Sequence, residues 1–130
     1  MTDVTRESSR SSSDDTVSLP VAPSGWVTLP DLAERLEIPV TKVSQMIREG
    51  LLVAVRRDGV LQVPQELVAN ATAVKHLPGV LTVLRDAGFT DHEALEWLYT
   101  EDESLPGTPA ARLAVGGATE VKRRAQALAL

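Results

Sequence analysis

Lys42, Gln45 and Arg48 recur every third residue in the run Val40-Thr41-Lys42-Val43-Ser44-Gln45-Met46-Ile47-Arg48. On a helix this spacing puts them along one side. Glutamine and arginine can make paired hydrogen bonds to the edges of adenine and guanine, whereas lysine and a helix N-terminus suit phosphate oxygens. A little further on, Arg56 and Arg57 stand directly before Asp58-Gly59. Two guanidinium groups beside a tight turn could touch a phosphate backbone or a minor groove. Thr41, Lys42, Ser44, Gln45, Arg48, Arg56 and Arg57 are therefore the candidate contacts to double-stranded DNA. Each phosphate contact would add to a salt-dependent, sequence-independent attraction. With so few cations, a single protomer is expected to bind weakly. The alternative reading of the same residues is a set of solvated charges on a small folded unit.

The elements that would position these side chains can be read from period and punctuation. Thr28 is placed to cap a helix, with Asp31 three residues on and Pro30 in the first turn, where its missing N–H does no harm. Leu29, Leu32, Ala33 and Leu36 then have the spacing of one helical face. Pro39 breaks that helix, because the residue before a proline is pushed out of the α region. Thr41 is expected to cap a second helix with Val43, Met46 and Ile47 inward, and Gly50 to end it in a left-handed conformation. The period then changes. Residues 51–57 and 60–63 are β-prone, and Asp58-Gly59 between them is a two-residue hairpin signal. Helix, turn, helix and hairpin in this order describe a winged helix-turn-helix over residues 26–64.

Ahead of it, residues 1–25 are rich in Ser, Thr and Asp and read as a disordered tail, whose accessible hydroxyls include Thr5 and Thr16. Behind it, residues 65–130 read as a helical domain. Its expected pieces are helices over 65–73 and 80–87 with a break at Leu77-Pro78-Gly79, and a helix opened by the capping box Thr90-Asp91-His92-Glu93. A loop over 100–110 and a last helix from Thr119 with Val121, Ala125 and Leu128 on one face complete it. The expected fold class is thus mainly α with a small β-hairpin wing, followed by a C-terminal helical region.

Charge and composition bound the function. The net charge of −5 would argue against a polyanionic partner if it were evenly spread, but it is not. Residues 40–64 hold four basic and two acidic groups, while residues 65–104 hold two basic and eight acidic ones. There are no cysteines, hence no disulfides, thiolate metal sites or cysteine nucleophiles. No stretch approaches a membrane span, and the first residues lack the apolar segment of a secretory signal, so a cytoplasmic location is expected. His76 and His92 are 16 residues apart. Asp86, Asp91, Glu93 and Glu96 come without a nucleophile, a glycine-rich phosphate loop or a metal spacing. No enzyme, cofactor or metal is expected.

The run WVTLPDLAERLEIPVTKVSQMIREGLLVAVRRDGVLQVP resembles the winged helix-turn-helix of a small actinobacterial DNA-binding protein family related to MerR- and excisionase-type regulators. KHLPGVLTVLRDAGFTDHEALEWL and EVKRRAQALAL resemble the same family's C-terminal region. The resemblance covers residues 26–130. It implies DNA binding through the helix at Thr41 and the wing, in a transcriptional regulator or nucleoid-associated factor. It also implies control by a Ser/Thr protein kinase acting on the tail, with Thr5 and Thr16 as the phosphorylation candidates. Ala94, Trp97, Leu98, Leu105, Gly107, Pro109, Leu113, Gly117 and Val121 are in addition similar to the partner-binding domain of Xre-type antitoxins. That likeness implies an alternative role as an interaction adaptor, through a homodimer or a protein partner held by residues 80–130.

Overall fold

The computed structural model describes residues 19–103 and 107–128. Thr5, Thr16 and Leu105 lie outside the described residues. Strand β1 (Trp26–Thr28) leads directly into α1 (Leu29–Leu36), and α2 (Val40–Arg48) follows after Glu37, Ile38 and Pro39. The strands β2 (Val55–Arg57) and β3 (Val60–Pro64) come next. A 3-10 turn (Gln65–Val68) then joins them to α3 (Ala71–Asp86), α4 (Asp91–Leu98), α5 (Pro109–Ala114) and α6 (Ala118–Ala127).

The sheet has three antiparallel strands with β3 in the centre. Val27 pairs with Val63 on one edge, and Arg56 with Leu61 on the other. The expected hairpin is present, and β1 is an addition to it. Three residues are too few for a sequence period to show, and Trp26 to Thr28 qualify only because β3 lies beside them. The expected long first strand is shorter than residues 51–57: Leu52 and Val53 are buried as irregular chain before β2 starts.

Thr28 caps α1, its Oγ1 accepting the Asp31 N–H at 3.3 Å, with Pro in the first turn. At the other end Glu37 takes φ 59°, a left-handed conformation that glycine usually fills, and its N–H returns to the last carbonyls of α1. Thr90 and Glu93 form the expected reciprocal capping box of α4.

The C-terminal half departs from expectation in four places. The break at Leu77-Pro78-Gly79 is not a break, because α3 runs unbroken from Ala71 to Asp86 with Pro78 inside it. Proline removes one backbone hydrogen bond. Against that loss, Ala73, Leu77, Val80, Leu81 and Leu84 lie on one face and are essentially fully buried, and that burial holds the helix together. The helix expected over 65–73 is instead the 3-10 turn plus the first residues of α3, divided at Asn70, whose side chain caps α3 at the Ala73 N–H. The expected loop 100–110 contains the start of α5, opened by a Thr108 cap and Pro109 at the first helical position. Finally, α6 buries Val121 and Ala125 but leaves Leu128 exposed.

One hydrophobic cluster runs through both halves, from Val27 and Leu32 through Val43 and Val63 to Leu84, Leu113 and Val121. It draws in Leu19, ahead of the first strand. In the segment expected as tail, the Val21 N–H donates to the Tyr99 carbonyl at 2.9 Å and the Ser24 N–H to Glu66 Oε2 at 3.1 Å. Tyr99, buried at 1% exposure, donates its hydroxyl to the same carboxylate at 2.9 Å. Residues 19–25 thus belong to the folded unit, held by backbone groups and by a carboxylate 42 residues away in sequence.

Candidate nucleic-acid interface

The apolar positions of α2 decide what its other face can do. Val43 is fully buried, and Met46 and Ile47 pack against the core. At 100° per residue, these three occupy one side of the helix. Ser44, Arg48, Thr41, Gln45, Glu49 and Lys42 then follow one another around the opposite side. Thr41, Lys42, Arg48 and Glu49 are exposed, and Ser44 and Gln45 half-buried. All five candidates on this helix therefore share one outward arc.

Two details differ from expectation. Thr41 does not cap α2, since the N-cap is Pro39, which offers no side-chain hydrogen bond, and Thr41 is the second residue of the helix. In that first turn the Lys42 N–H already donates to the Pro39 carbonyl at 3.0 Å, which leaves the N–H groups ahead of it for an anion. Gln45 also has a partner already, its Nε2 donating to Glu49 Oε2 at 2.9 Å. Sequence reasoning passed over Glu49, although its place four residues beyond Gln45 was the signal. A carboxylate within this arc repels phosphate and can accept from a cytosine amino group.

The wing is a tight hairpin. Asp58 and Gly59 have φ of 52° and 78°, the two positive values that a mirror-image type I turn demands. Its two arginines separate in role. Arg56 is exposed and donates to the Gly59 carbonyl at 2.9 Å, which fixes its guanidinium against the turn. Arg57 points to the other face of the sheet, where its guanidinium lies over the Trp26 ring at 4.5 Å. That cation–π contact crosses from one edge strand to the other and leaves Arg57 half-buried.

The end of α2 is fastened by a residue that the sequence did not mark. Gly50 takes φ 80° as expected, with Gly50 N–H to the Ile47 carbonyl and Leu51 N–H to the Met46 carbonyl closing the helix. Its own carbonyl accepts from Arg85 Nη1 at 2.7 Å, and Arg85 pairs with Asp91 at 3.0 Å. A cation from the end of α3 thus sits at the negative end of the α2 dipole and ties the two halves together. A side chain at Gly50 would meet that guanidinium at 2.8 Å.

Of the histidines and acids named in the sequence, Asp91, His92, Glu93 and Glu96 lie on α4. His92 is 3.5 Å from Glu96 on the surface of α4. No group of three metal-ligating side chains is found among the described residues. Among the positions resembling the antitoxin pattern, Ala94, Leu98, Pro109, Leu113, Gly117 and Val121 are buried, Trp97 is half-buried, and Gly107 has φ 85°.

A short-turned helix pair beside an antiparallel hairpin wing, with the outer face of the second helix exposed, defines a winged helix-turn-helix protein. More particularly, the chain belongs to the family described by the DNA-binding protein Rv2175c. Its winged helix-turn-helix domain matches residues 14–68, and its C-terminal domain of unknown function matches residues 74–129. "DNA-binding protein Rv2175c" of Mycobacterium tuberculosis (strain ATCC 25618 / H37Rv) is 46% identical over 114 residues, 78% of either chain. The solved structure described as the NMR structure of Rv2175c superposes with a TM-score of 0.69 at 38% identity, covering 89% of this chain and 92% of that one.

Proposed function

We propose that this protein binds duplex DNA, laying the outer arc of α2 in the major groove and the wing against the neighbouring backbone. The observation that carries the reading is the arc itself: Thr41, Lys42, Gln45 and Arg48 outward on a helix whose Val43 side is sealed, with exposed Arg56 on the adjoining wing. The winged helix-turn-helix family match and the name of the mycobacterial relative support it. In this reading Arg48 and Gln45 meet base edges, with Gln45 exchanging its bond to Glu49 for a base. Lys42, Thr41, Ser44 and the first turn of α2 meet phosphates, and Arg56 is the wing's main contact. Arg57 supports the wing through Trp26.

The same reading assigns a cytoplasmic regulator or nucleoid-associated factor rather than an enzyme, working as a dimer on paired half-sites. No helix among the described residues is long and apolar enough to cross a membrane. A kinase acting on Thr5 or Thr16 would add about −1.5 to −2 charges and so weaken binding to a polyanion.

The test is fluorescence anisotropy with a labelled duplex pool at about 50 and about 200 mM salt. Affinity should fall steeply with salt. Arg48→Ala should cost about 1–3 kcal/mol of binding and relax sequence preference. Arg56→Ala should weaken all sequences alike and flatten the salt slope. Affinity indifferent to salt and to both substitutions overturns the assignment.

A further inference from the structure

A second cationic surface lies in the C-terminal half, where α3 and α6 pack side by side. Between them is a groove of about 440 Å³, lined by Lys75, His76 and Gly79 from α3 and by Thr119, Lys122 and Arg123 from α6. Two of the chain's three lysines face this one space, and no carboxylate lines it. The α6 wall lies in a basic stretch, since residues 105–130 hold four basic groups and one acidic, whereas Lys75 is one of only two basic groups in residues 65–104.

The nearby carboxylates are committed elsewhere. Glu120 pairs with Arg112, and Arg124 lies 3.8 Å from Asp102. Lys75, Lys122 and Arg123 have no ion-pair partner among the described residues. Lys122 Nζ is 3.6 Å from where a Cβ on Gly79 would stand, so its ammonium reaches from α6 across the groove to the α3 wall over a residue without a side chain. Cations that line one groove without ion-pair partners favour an anion seated among them. The start of α6 adds to this: Gly117 gives no side-chain cap, and Thr119 lines the groove in the first turn, beside free backbone N–H groups.

We propose that this groove binds a small phosphorylated molecule of nucleotide size. A volume of about 440 Å³ lies within the range of roughly 300–1,000 Å³ typical of small-ligand sites. Buried Val80 and Ala118 supply an apolar floor beneath the cations. A duplex is the less fitting occupant, because a concave slot between two helices admits a compact anion and not an extended rod. The site is also separate from the α2 arc. His76 and Arg85 are nine residues apart on α3, roughly half a turn out of phase, so the groove opens on the flank opposite the one that holds α2.

The test uses the full chain with ¹⁵N-labelled backbone, titrated in turn with inorganic pyrophosphate, ADP and uncharged adenosine. Pyrophosphate and ADP should shift the Gly79, Thr119 and Lys122 amides saturably, and adenosine alone should not. The double variant Lys75→Ala/Lys122→Ala should weaken both by about tenfold or more, as expected when charge-assisted hydrogen bonds are removed. Its duplex affinity should be unchanged, and an unaltered melting temperature should confirm folding. Should the double variant unfold, Arg123→Gln, at an exposed position, carries the same expectation in smaller degree. Shifts confined to α2 and the wing, shifts that survive both variants, or no saturable shift would each overturn the proposal. So would a double variant that loses duplex affinity instead. Loss of DNA binding by the parent chain would count against the preceding reading and leave this one standing.

Discussion

The two cationic surfaces are built on opposite principles. The α2 arc is convex: a helix sealed on its Val43 side pushes Lys42 and Arg48 into solvent, and Arg56 extends the surface along a hairpin. The α3–α6 groove is concave, and its cations come from residues nearly 50 positions apart that line one space, with Lys122 reaching over Gly79. A convex basic surface suits a partner with its own groove, and a concave one suits a partner that fits inside. Sign of charge alone does not separate these functions. Curvature and the fate of neighbouring carboxylates do, since Glu49 is left within the first surface while Glu120 and Asp102 are engaged by arginines beside the second.

The broadest way to break the comparison is to damage what the surfaces share. Leu84 is fully buried on α3 in the common core. Leu84→Ala should cost about 2–5 kcal/mol of stability, the usual range for a buried leucine that leaves a cavity. In calorimetry the melting temperature should fall by on the order of 10 °C, and near that temperature both binding activities should fade together. If one surface kept its affinity while the other was lost, the halves would not be one cooperative unit.

A sharper cut falls on Arg85, which serves α2 and faces away from the groove. Arg85→Ala removes the donor to the Gly50 carbonyl and the pair with Asp91. The loss should be about 1–2 kcal/mol, reduced from the full value of a charged hydrogen bond because part of the side chain meets solvent. DNA affinity should drop through a loosened α2, while pyrophosphate titration should be unaffected. Denaturant melts and the two titrations, run side by side, check this.

Neither surface should respond to the next change, which concerns the segment leading into β1. Hydrogen bonds from Ser24 and Tyr99 hold the Glu66 carboxyl below its ordinary value although burial pushes it upward. Burial, with Glu66 alongside, pushes the Tyr99 hydroxyl well above its ordinary value. A carboxyl lowered in the fold contributes stability above about pH 4.5 that is lost as pH falls through its folded value. A phenol raised in the fold contributes stability below about pH 10 that is lost as pH rises beyond it, because the unfolded chain ionises first. Melting temperature against pH should therefore decline at both ends. Tyr99→Phe should flatten the alkaline arm, soften the acid one, and cost about 1 kcal/mol at neutral pH.

These expectations also mark how far the chain could be read before it was seen folded. Local chemistry was legible: Thr28 and Thr90 as caps, Asp58-Gly59 as a turn, Gly50 as a helix end, and the outward set on α2. Each depends on residues a few positions apart. What escaped depends on distant ones. Pro78 looked like a stop because the burial that overrides it comes from contacts with other helices. β1 exists because of β3. Arg85 meets Gly50 across 35 positions, and Lys75 and Lys122 come to line one groove only once α3 and α6 are packed. The start of α5 is an exception, since Thr108-Pro109 had the form of a cap and first turn.

The finest test separates the two neighbours in the wing, which sequence reading treated as a pair. Arg56 and Arg57 are consecutive in a strand, so the pleat sends them to opposite faces, and only Arg57 finds an aromatic ring. Arg57→Ala should cost about 0.5–1 kcal/mol of stability, the value of an exposed cation–π contact. Trp26 fluorescence should report the loss, because the cation over its ring is gone. DNA affinity should change less than in Arg56→Ala, and the salt slope should stay near that of the parent. If Arg57→Ala instead weakened DNA binding as much as Arg56→Ala, the guanidinium would have to leave Trp26 for the phosphate. The wing would then be a moving part, and its contribution to binding would carry the cost of breaking that contact.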